Sequence, residues 1–205
     1  MKIQSTTTWK EHFPLTKPYT IAYETFDHVE NIFVRLDTGD GSFGIGVASP
    51  APDVTGESAT DCQNALNQYL EPLLLGHDVR HLKTLVRELG YNMTSTPTAM
   101  TAVDMALHDL LAKVMDIPLV NLLGRCHESL ATSVTIGIKS IQETLEEASV
   151  YLGQGFKILK IKIGNDLDED IERLFRLREY VGKHIPIRVD INQGYTRETF
   201  AAFVQ

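Results

Sequence analysis

Cysteine is scarce in this chain of 205 residues, which contains only Cys62 and Cys126. The two residues lie far apart in the sequence and form no Cys-x-x-Cys pair. We interpret both as reduced thiols, which predicts a cytoplasmic protein rather than a disulfide-stabilised secreted one.

Long hydrophobic runs and an excess of positive charge are also missing. No stretch approaches the roughly 18 apolar residues of a membrane span, and residues 1–19 hold no apolar run long enough for a signal peptide. Lys and Arg number 19 against 27 Asp and Glu, which gives a net charge of -8. A nucleic-acid-binding protein needs a basic patch. We therefore predict neither a membrane nor a nucleic acid as a partner.

The first 50 residues favour β-strands. Residues 1–9, 29–37 and 43–49 are rich in β-branched and aromatic side chains. The dipeptide Asp40-Gly41 between the last two runs is typical of a tight β-hairpin. The pattern predicts an antiparallel meander of three strands.

From Gly56 the hydrophobic period becomes helical. Apolar residues in 57–75, 79–90 and 97–115 recur at helical spacing. These segments predict a small helical bundle that ends at Gly124.

After residue 130 strand-like and helix-like runs alternate. The predicted strands are 132–139, 156–163 and 186–192. Each one is followed by a helix-like run. This alternation is the pattern of βα units and predicts a parallel sheet.

The three predicted strands carry one apolar face and one polar face. The apolar parity consists only of branched aliphatic residues: Val134, Ile136, Ile138, Leu159, Ile161, Ile163, Ile187, Val189 and Ile191. The opposite parity places Lys160 and Lys162 beside Asp190 and Asn192 on the next strand. A polar face suits the interior of a barrel, where chemistry occurs at the carboxyl ends of the strands. The alternative is a sheet edge whose polar face is simply solvated.

Two ammonium groups and a carboxylate in one concave site indicate chemistry. Mg²⁺ takes oxygen ligands and few carboxylates, so Asp190 is a candidate Mg²⁺ ligand. A lysine flanked by a second ammonium and a metal ion can serve as a general base. By contrast, the charged run 166–180 has acidic residues early and arginines late, as the helix dipole favours. We interpret it as a solvated helix face.

These residues resemble a known family. Lys-Ile-Lys at 160–162, Asp-Ile-Asn at 190–192 and the segments 104–113 and 117–124 are similar to the muconate-lactonizing subgroup of the enolase superfamily. The resemblance covers all 205 residues. It implies an α+β capping domain (antiparallel meander plus helical bundle) at residues 1–125. The first three βα units of a (β/α) TIM-type barrel would follow at residues 126–205.

The resemblance also implies a reaction. Members use Mg²⁺ and a lysine base to remove the proton alpha to a carboxylate, through an enediolate. Lys162 would be the acid/base. Lys160 would assist it and contact the substrate carboxylate. Asp190 would be the first metal ligand, with Asn192 as a nearby polar contact.

Within the subgroup the sequence is most similar to dipeptide epimerases of the L-Ala-D/L-Glu type. The similarity rests on Val-Thr-Gly-Glu-Ser at 54–58 and on 132–138, where Thr135 would sit beside the substrate. The loop 14–29 would fold over the site as a specificity lid, with Glu24 as a substrate contact. Because this segment is acidic, a neutral or cationic dipeptide is at least as good a candidate substrate as L-Ala-L-Glu.

The sequence leaves three hypotheses open. By resemblance, the other metal ligands belong on barrel strands four and five, and the opposing lysine belongs on strand six. The chain would then be the N-terminal part of a Mg²⁺-dependent dipeptide epimerase, active in the complete protein. It could instead belong to a muconate cycloisomerase or an o-succinylbenzoate synthase, or be a non-catalytic binding remnant. The open edges of a three-strand sheet also predict self-association into a homo-oligomer.

Overall fold

The computed structural model describes residues 1–22 and 24–205 and divides them into two compact units. One unit comprises residues 1–14 and 28–126, and the other comprises residues 15–27 and 127–205. The sequence-based division into domains at residue 125 stays a prediction. No helix in the described ranges is long and apolar enough to cross a membrane.

A three-stranded sheet opens the fold, in the order β1 (Ile3–Thr20), β2 (Thr25–Thr38), β3 (Phe43–Ala48). β2 and β3 pair antiparallel, with Asp37 opposite Phe43. Between them the Asp40 carboxylate accepts hydrogen bonds from the Ser42 amide and the Thr38 hydroxyl. The predicted meander and its hairpin are confirmed.

The helices of the first unit follow the sheet. They are α1 (Pro52–Thr55), α2 (Ala59–Leu74), α3 (Leu82–Asn92), which a 3₁₀ turn precedes, α4 (Pro97–Val114) and α5 (Leu119–Leu122). A capping box between Ser58 and Asp61 begins α2, because each side chain satisfies a free backbone amide of the other. The predicted helical bundle is confirmed. The structure also contains α1, which the sequence pattern did not predict.

The second unit contains three βα units. They are β4 (Val134–Ile136), α6 (Ile141–Gly153), β5 (Leu159–Lys162), α7 (Leu167–Val181), β6 (Ile187–Asp190) and α8 (Arg197–Phe203). The strands are parallel in the order β4-β5-β6. This confirms the predicted parallel sheet, although each strand is shorter than predicted.

The predicted apolar face forms most of the core of the second unit. Ile136, Leu159, Ile161 and Ile163 are buried under the helices. Val189 departs from the prediction because 40% of its surface stays exposed. It lies on β6, whose only partner among the described residues is β5.

The prediction that residues 14–29 form a loop is wrong. β1 continues to Thr20 and β2 begins at Thr25, so this segment is the end of a β-hairpin. Pro14 and Pro18 both lie on β1, which is an edge strand, where a missing amide donor is tolerated. Tyr23, inside the predicted lid, lies outside the described residues.

The interpretation of 166–180 as a solvated helix face is wrong in part. Asp170, Arg173 and Leu177 of α7 are buried. These positions follow the i, i+3, i+7 spacing of a core-facing stripe, so two charged residues occupy the buried side of an otherwise charged helix.

Candidate active site

The register of the parallel sheet brings the predicted site residues together. Lys162 pairs with Asp190 across β5 and β6, and Lys160 pairs with Thr135 across β5 and β4. Side chains two residues apart on a strand share a face. All four therefore lie on one face of the sheet, as strand parity predicted for Lys160, Lys162 and Asp190.

The Asp190 carboxylate is the centre of the polar contacts. Its Oδ2 lies 2.7 Å from Lys160 Nζ and 2.9 Å from Lys162 Nζ. Its Oδ1 accepts a hydrogen bond of 3.1 Å from the Asn192 amide. Lys162 Nζ also donates to Asn192 Oδ1 at 2.5 Å. The two lysines that are unexpected in a strand thus have a shared anionic partner.

The surroundings favour the ionised form of this carboxylate. Partial burial of Asp190 opposes ionisation, but hydrogen bonds from Lys160, Lys162 and the Asn192 amide outweigh it. The net effect holds the pKa of Asp190 well below its usual range. These contacts therefore favour the anionic form of Asp190, which is the form that can bind a metal ion.

The turn after β6 has an unusual backbone. Asn192 and Gln193 adopt φ angles of 43° and 62°, in the left-handed region that few residues other than glycine enter. This conformation places the Asn192 side chain within hydrogen-bond distance of Lys162 Nζ. Backbone of this kind concentrates at functional sites, because surrounding contacts must hold it in place.

A cavity of about 880 Å³ adjoins the two lysines. The hairpin and the strands both contribute to its wall, which includes Thr16, Lys17, Thr20, Thr135, Lys160 and Lys162. The Ile138 amide donates to the Thr20 carbonyl at 3.0 Å, which fixes the hairpin to the chain after β4. Thr135 and the lysines therefore face one space that is large enough for a small-molecule ligand.

The structure leaves Glu24 apart from this cluster. Glu24 is exposed at the hairpin turn, where its carbonyl accepts from the Ile21 amide at 2.9 Å. It is not among the residues that line the cavity. Its predicted substrate contact stays a prediction.

A second charged cluster in the cavity wall was missed by the sequence analysis. Glu147 of α6 lies 2.5 Å from Lys139 Nζ and 3.9 Å from Lys17 Nζ, and it accepts a hydrogen bond of 2.9 Å from the Tyr151 hydroxyl. Only the i, i+4 spacing of Glu147 and Tyr151 was visible in the sequence. The two lysines come from segments that the fold alone brings near α6.

The donor set fits one part of a Mg²⁺ site. Asp190 offers an anionic oxygen, the ligand type that Mg²⁺ prefers. No group of three His, Cys, Asp or Glu side chains in residues 1–22 and 24–205 could hold a metal ion. Asp190 is therefore a candidate donor rather than part of a complete metal-ligand cluster within the described residues.

Comparison with known families gives two matches. Residues 3–124 match the model of the mandelate racemase/muconate lactonizing enzyme N-terminal domain. Residues 143–205 match the model of the enolase C-terminal domain-like family. Along the chain, the first match covers the sheet and the helices after it, and the second match follows in the region of the βα units.

Curated relatives include the L-Lys-D/L-Arg epimerase of Desulforapulum autotrophicum. It is 54% identical over 203 residues, which are 99% of this chain and 57% of the relative. The L-Ala-D/L-Glu epimerase of Bacillus subtilis is 35% identical, over 95% of this chain and 54% of the relative. The chain thus spans little more than half the length of these relatives.

Solved structures show the same fold. The dipeptide epimerase of Methylococcus capsulatus, complexed with Mg and the dipeptide L-Arg-D-Lys, has a TM-score of 0.95 at 46% identity. The match covers all of this chain and 58% of that one. The sheet-and-helix unit and the βα units of this chain therefore share their fold with part of this enzyme.

Proposed function

Because this chain belongs to the mandelate racemase/muconate lactonizing enzyme family of the enolase superfamily, we propose that the complete protein is a Mg²⁺-dependent dipeptide epimerase. The observation that carries the proposal is the contact of Lys162 Nζ with Asp190 and Asn192, which joins a candidate base to a candidate metal ligand. The similarity to dipeptide epimerases supports it independently.

In this proposal Lys162 removes the proton from the carbon alpha to the dipeptide's carboxylate. The C–H bonding pair moves toward the carboxylate and forms an enediolate, while Lys162, as the amine, gains the proton. When bound, Mg²⁺ would stabilise the negative charge that develops on the carboxylate oxygens. Lys162 can act on one face of the carbon only, so a second acid must return a proton to the other face.

The remaining residues position these groups. Asn192 accepts a hydrogen bond from Lys162 and so orients its Nζ. Lys160, on the same face, is placed to contact the substrate carboxylate, and Thr135 lines the same cavity. Asp190 would hold Mg²⁺ together with further oxygen ligands.

We propose a cationic dipeptide as the substrate. In the segment 14–29, Glu24 and Asp27 outnumber Lys17, the single Lys or Arg residue. Glu24 lies at the turn of the hairpin whose strand lines the cavity, and a carboxylate there can pair with a lysine or arginine side chain. The L-Lys-D/L-Arg epimerase at 54% identity supports this choice. We further propose a cytoplasmic location, without nucleic-acid or membrane partners and with self-association into a homo-oligomer.

Substrate choice tests the role of Glu24. For Glu24→Gln in the complete protein we expect kcat/KM for L-Lys-L-Arg to fall about 10-fold, since one charge-assisted hydrogen bond contributes about 1.5 kcal/mol. Epimerisation of L-Ala-L-Glu should not fall. Epimer ratios measured by chiral chromatography over a dipeptide panel give both values.

Glu11→Gln provides the matched control, because Glu11 is an exposed carboxylate on the same strand pair. We expect it to leave both activities unchanged. An equal loss on both dipeptides in Glu24→Gln would contradict cation recognition by this residue. Turnover of a muconate with none of any dipeptide would contradict the proposed function itself.

A further inference from the structure

A buried ion pair lies on α7, outside the cluster around Asp190. Asp170 and Arg173 are 2% and 4% exposed, and Arg173 Nη2 donates to Asp170 Oδ1 at 2.5 Å. Burying two charges is costly unless hydrogen bonds satisfy their remaining donors and acceptors. The partners of this pair therefore show what it holds in place.

Arg173 binds the carboxyl ends of two neighbouring strands. Its Nη1 donates to the Lys139 carbonyl at 2.8 Å, and its Nη2 donates to the Lys162 carbonyl at 3.0 Å. Lys139 follows β4, and Lys162 is the last residue of β5. The planar guanidinium fixes both carbonyls with one rigid group.

Asp170 binds the segments that follow β5 and β6. Its Oδ2 accepts hydrogen bonds from the Gly164 amide at 2.8 Å and from the Tyr195 hydroxyl at 2.7 Å. Burial and the neighbouring carboxylate raise the pKa of Tyr195 above its ordinary value, so the hydroxyl remains a donor. The pair thus holds the backbone by hydrogen bonds at two points, the carbonyl of Lys162 and the amide of Gly164.

We propose that Asp170 and Arg173 form a positioning pair for Lys162. By fixing the carbonyl of Lys162 and the amide of Gly164, they hold the backbone from which the Lys162 side chain reaches Asp190 and Asn192. The inference rests on the proposed function, in which Lys162 is the acid/base. Displacing a catalytic base by about 1 Å can slow the reaction about 100-fold. Rigid positioning of the backbone at Lys162 therefore has a direct effect on the rate of proton transfer.

Proton exchange from the two epimers of the substrate distinguishes a positioning role from a general effect on stability. Each epimer presents its alpha proton on a different face of the carbon, and Lys162 can reach only one of them. The Lys162-dependent epimer is the one whose alpha-proton exchange in D₂O is lost in Lys162→Ala. For Arg173→Lys in the complete protein, we expect exchange from this epimer to fall about 10- to 100-fold. Exchange from the other epimer should change much less, because the second base lies on the opposite face. Arg173→Lys keeps the charge and removes the planar fork.

Arg176→Lys is the matched control, since Arg176 lies on the same helix but pairs with Glu172 and Glu179 at the surface. We expect it to leave exchange from both epimers unchanged. An equal fall for both epimers in Arg173→Lys, or no fall for either, would overturn the proposal.

Amide hydrogen exchange tests the pair without any substrate. In Arg173→Lys and in Tyr195→Phe, we expect protection in residues 159–165 to fall while β2 keeps wild-type protection. Wild-type protection of 159–165 in both variants would overturn the positioning role. A wild-type protein that turns over no dipeptide would overturn the proposed function instead, and the backbone contacts would still be judged by this measurement. If Asp170→Asn folds, it provides a third variant for the same measurement of protection in residues 159–165.

Discussion

At the scale of the residue, Lys160 and Lys162 differ although they share a face of β5. The Lys162 side chain is 10% exposed and contacts both Asp190 and Asn192, whereas the Lys160 side chain is 35% exposed and contacts Asp190. An acid/base must hold a fixed position relative to the carbon that it deprotonates. Lys162, which is more enclosed and has two partners, meets this condition, whereas Lys160 leaves more of its side chain exposed beside the same carboxylate.

The low pKa of Asp190 makes part of the protein's stability dependent on pH. A carboxyl group whose pKa is depressed in the folded state stabilises it above the unfolded pKa of about 3.9, and this contribution is lost as the pH falls through the folded pKa. For Asp190→Asn we expect a loss of about 1–3 kcal/mol in the free energy of unfolding at pH 7. The difference in the free energy of unfolding between the wild type and Asp190→Asn should become smaller below about pH 4.

Urea unfolding at pH 7 and at pH 3 measures this difference. The matched control is Asp53→Asn, because Asp53 is an exposed carboxylate of α1. We expect little change from it at either pH. A deficit of the same size for Asp190→Asn at both values would show that the ion pairs with Lys160 and Lys162 do not stabilise the fold.

At the scale of the element, the glycines of β3 explain how α4 lies on the sheet. A Cβ at Gly44 would meet the Ala106 carbonyl oxygen at 2.1 Å, and one at Gly46 would meet the Ala102 carbonyl oxygen at 1.8 Å. Backbone approaches backbone at both points, so no side chain can move aside. The alternation Gly44-Ile45-Gly46 is therefore a docking surface for a helix.

Alanine substitution tests this close approach. We expect Gly46→Ala to destabilise the first unit by at least about 3 kcal/mol, since overpacking against backbone forces the helix and strand apart. Gly90→Ala is the matched control, because Gly90 lies inside α3 with open space around it. We expect it to stabilise the unit by about 0.5–1 kcal/mol. Thermal unfolding of both variants gives the comparison, and a neutral Gly46→Ala would contradict the packing described.

The sequence predicted the type of each main element because hydrophobic period depends on local spacing alone. It predicted the shared face of Lys160, Lys162 and Asp190 for the same reason, since strand parity and parallel register determine it. It did not predict the β-hairpin at 14–29, because the tolerance of Pro14 depends on which strand is at the edge. It also missed the burial of Arg173, because only the fold shows which carbonyls this residue reaches.

At the scale of the whole molecule, the described chain brings two lysines and a carboxylate together beside one cavity. In the proposed function these groups are a base and a metal ligand, and the chain spans 57% of the D. autotrophicum relative. Epimerisation needs a proton donor on the second face of the carbon, and Mg²⁺ needs further oxygen ligands. We therefore assign the proposed activity to the complete protein.

The most direct test of this account is deuterium incorporation at the alpha carbon of the dipeptide's C-terminal residue. The complete protein is incubated with L-Lys-L-Arg in D₂O with Mg²⁺, as the wild type and as Lys162→Ala, and the product is analysed by NMR. We predict that the wild type incorporates deuterium and forms both epimers, and that Lys162→Ala loses epimerisation by at least about 100-fold. Epimerisation by Lys162→Ala at the wild-type rate would contradict the account.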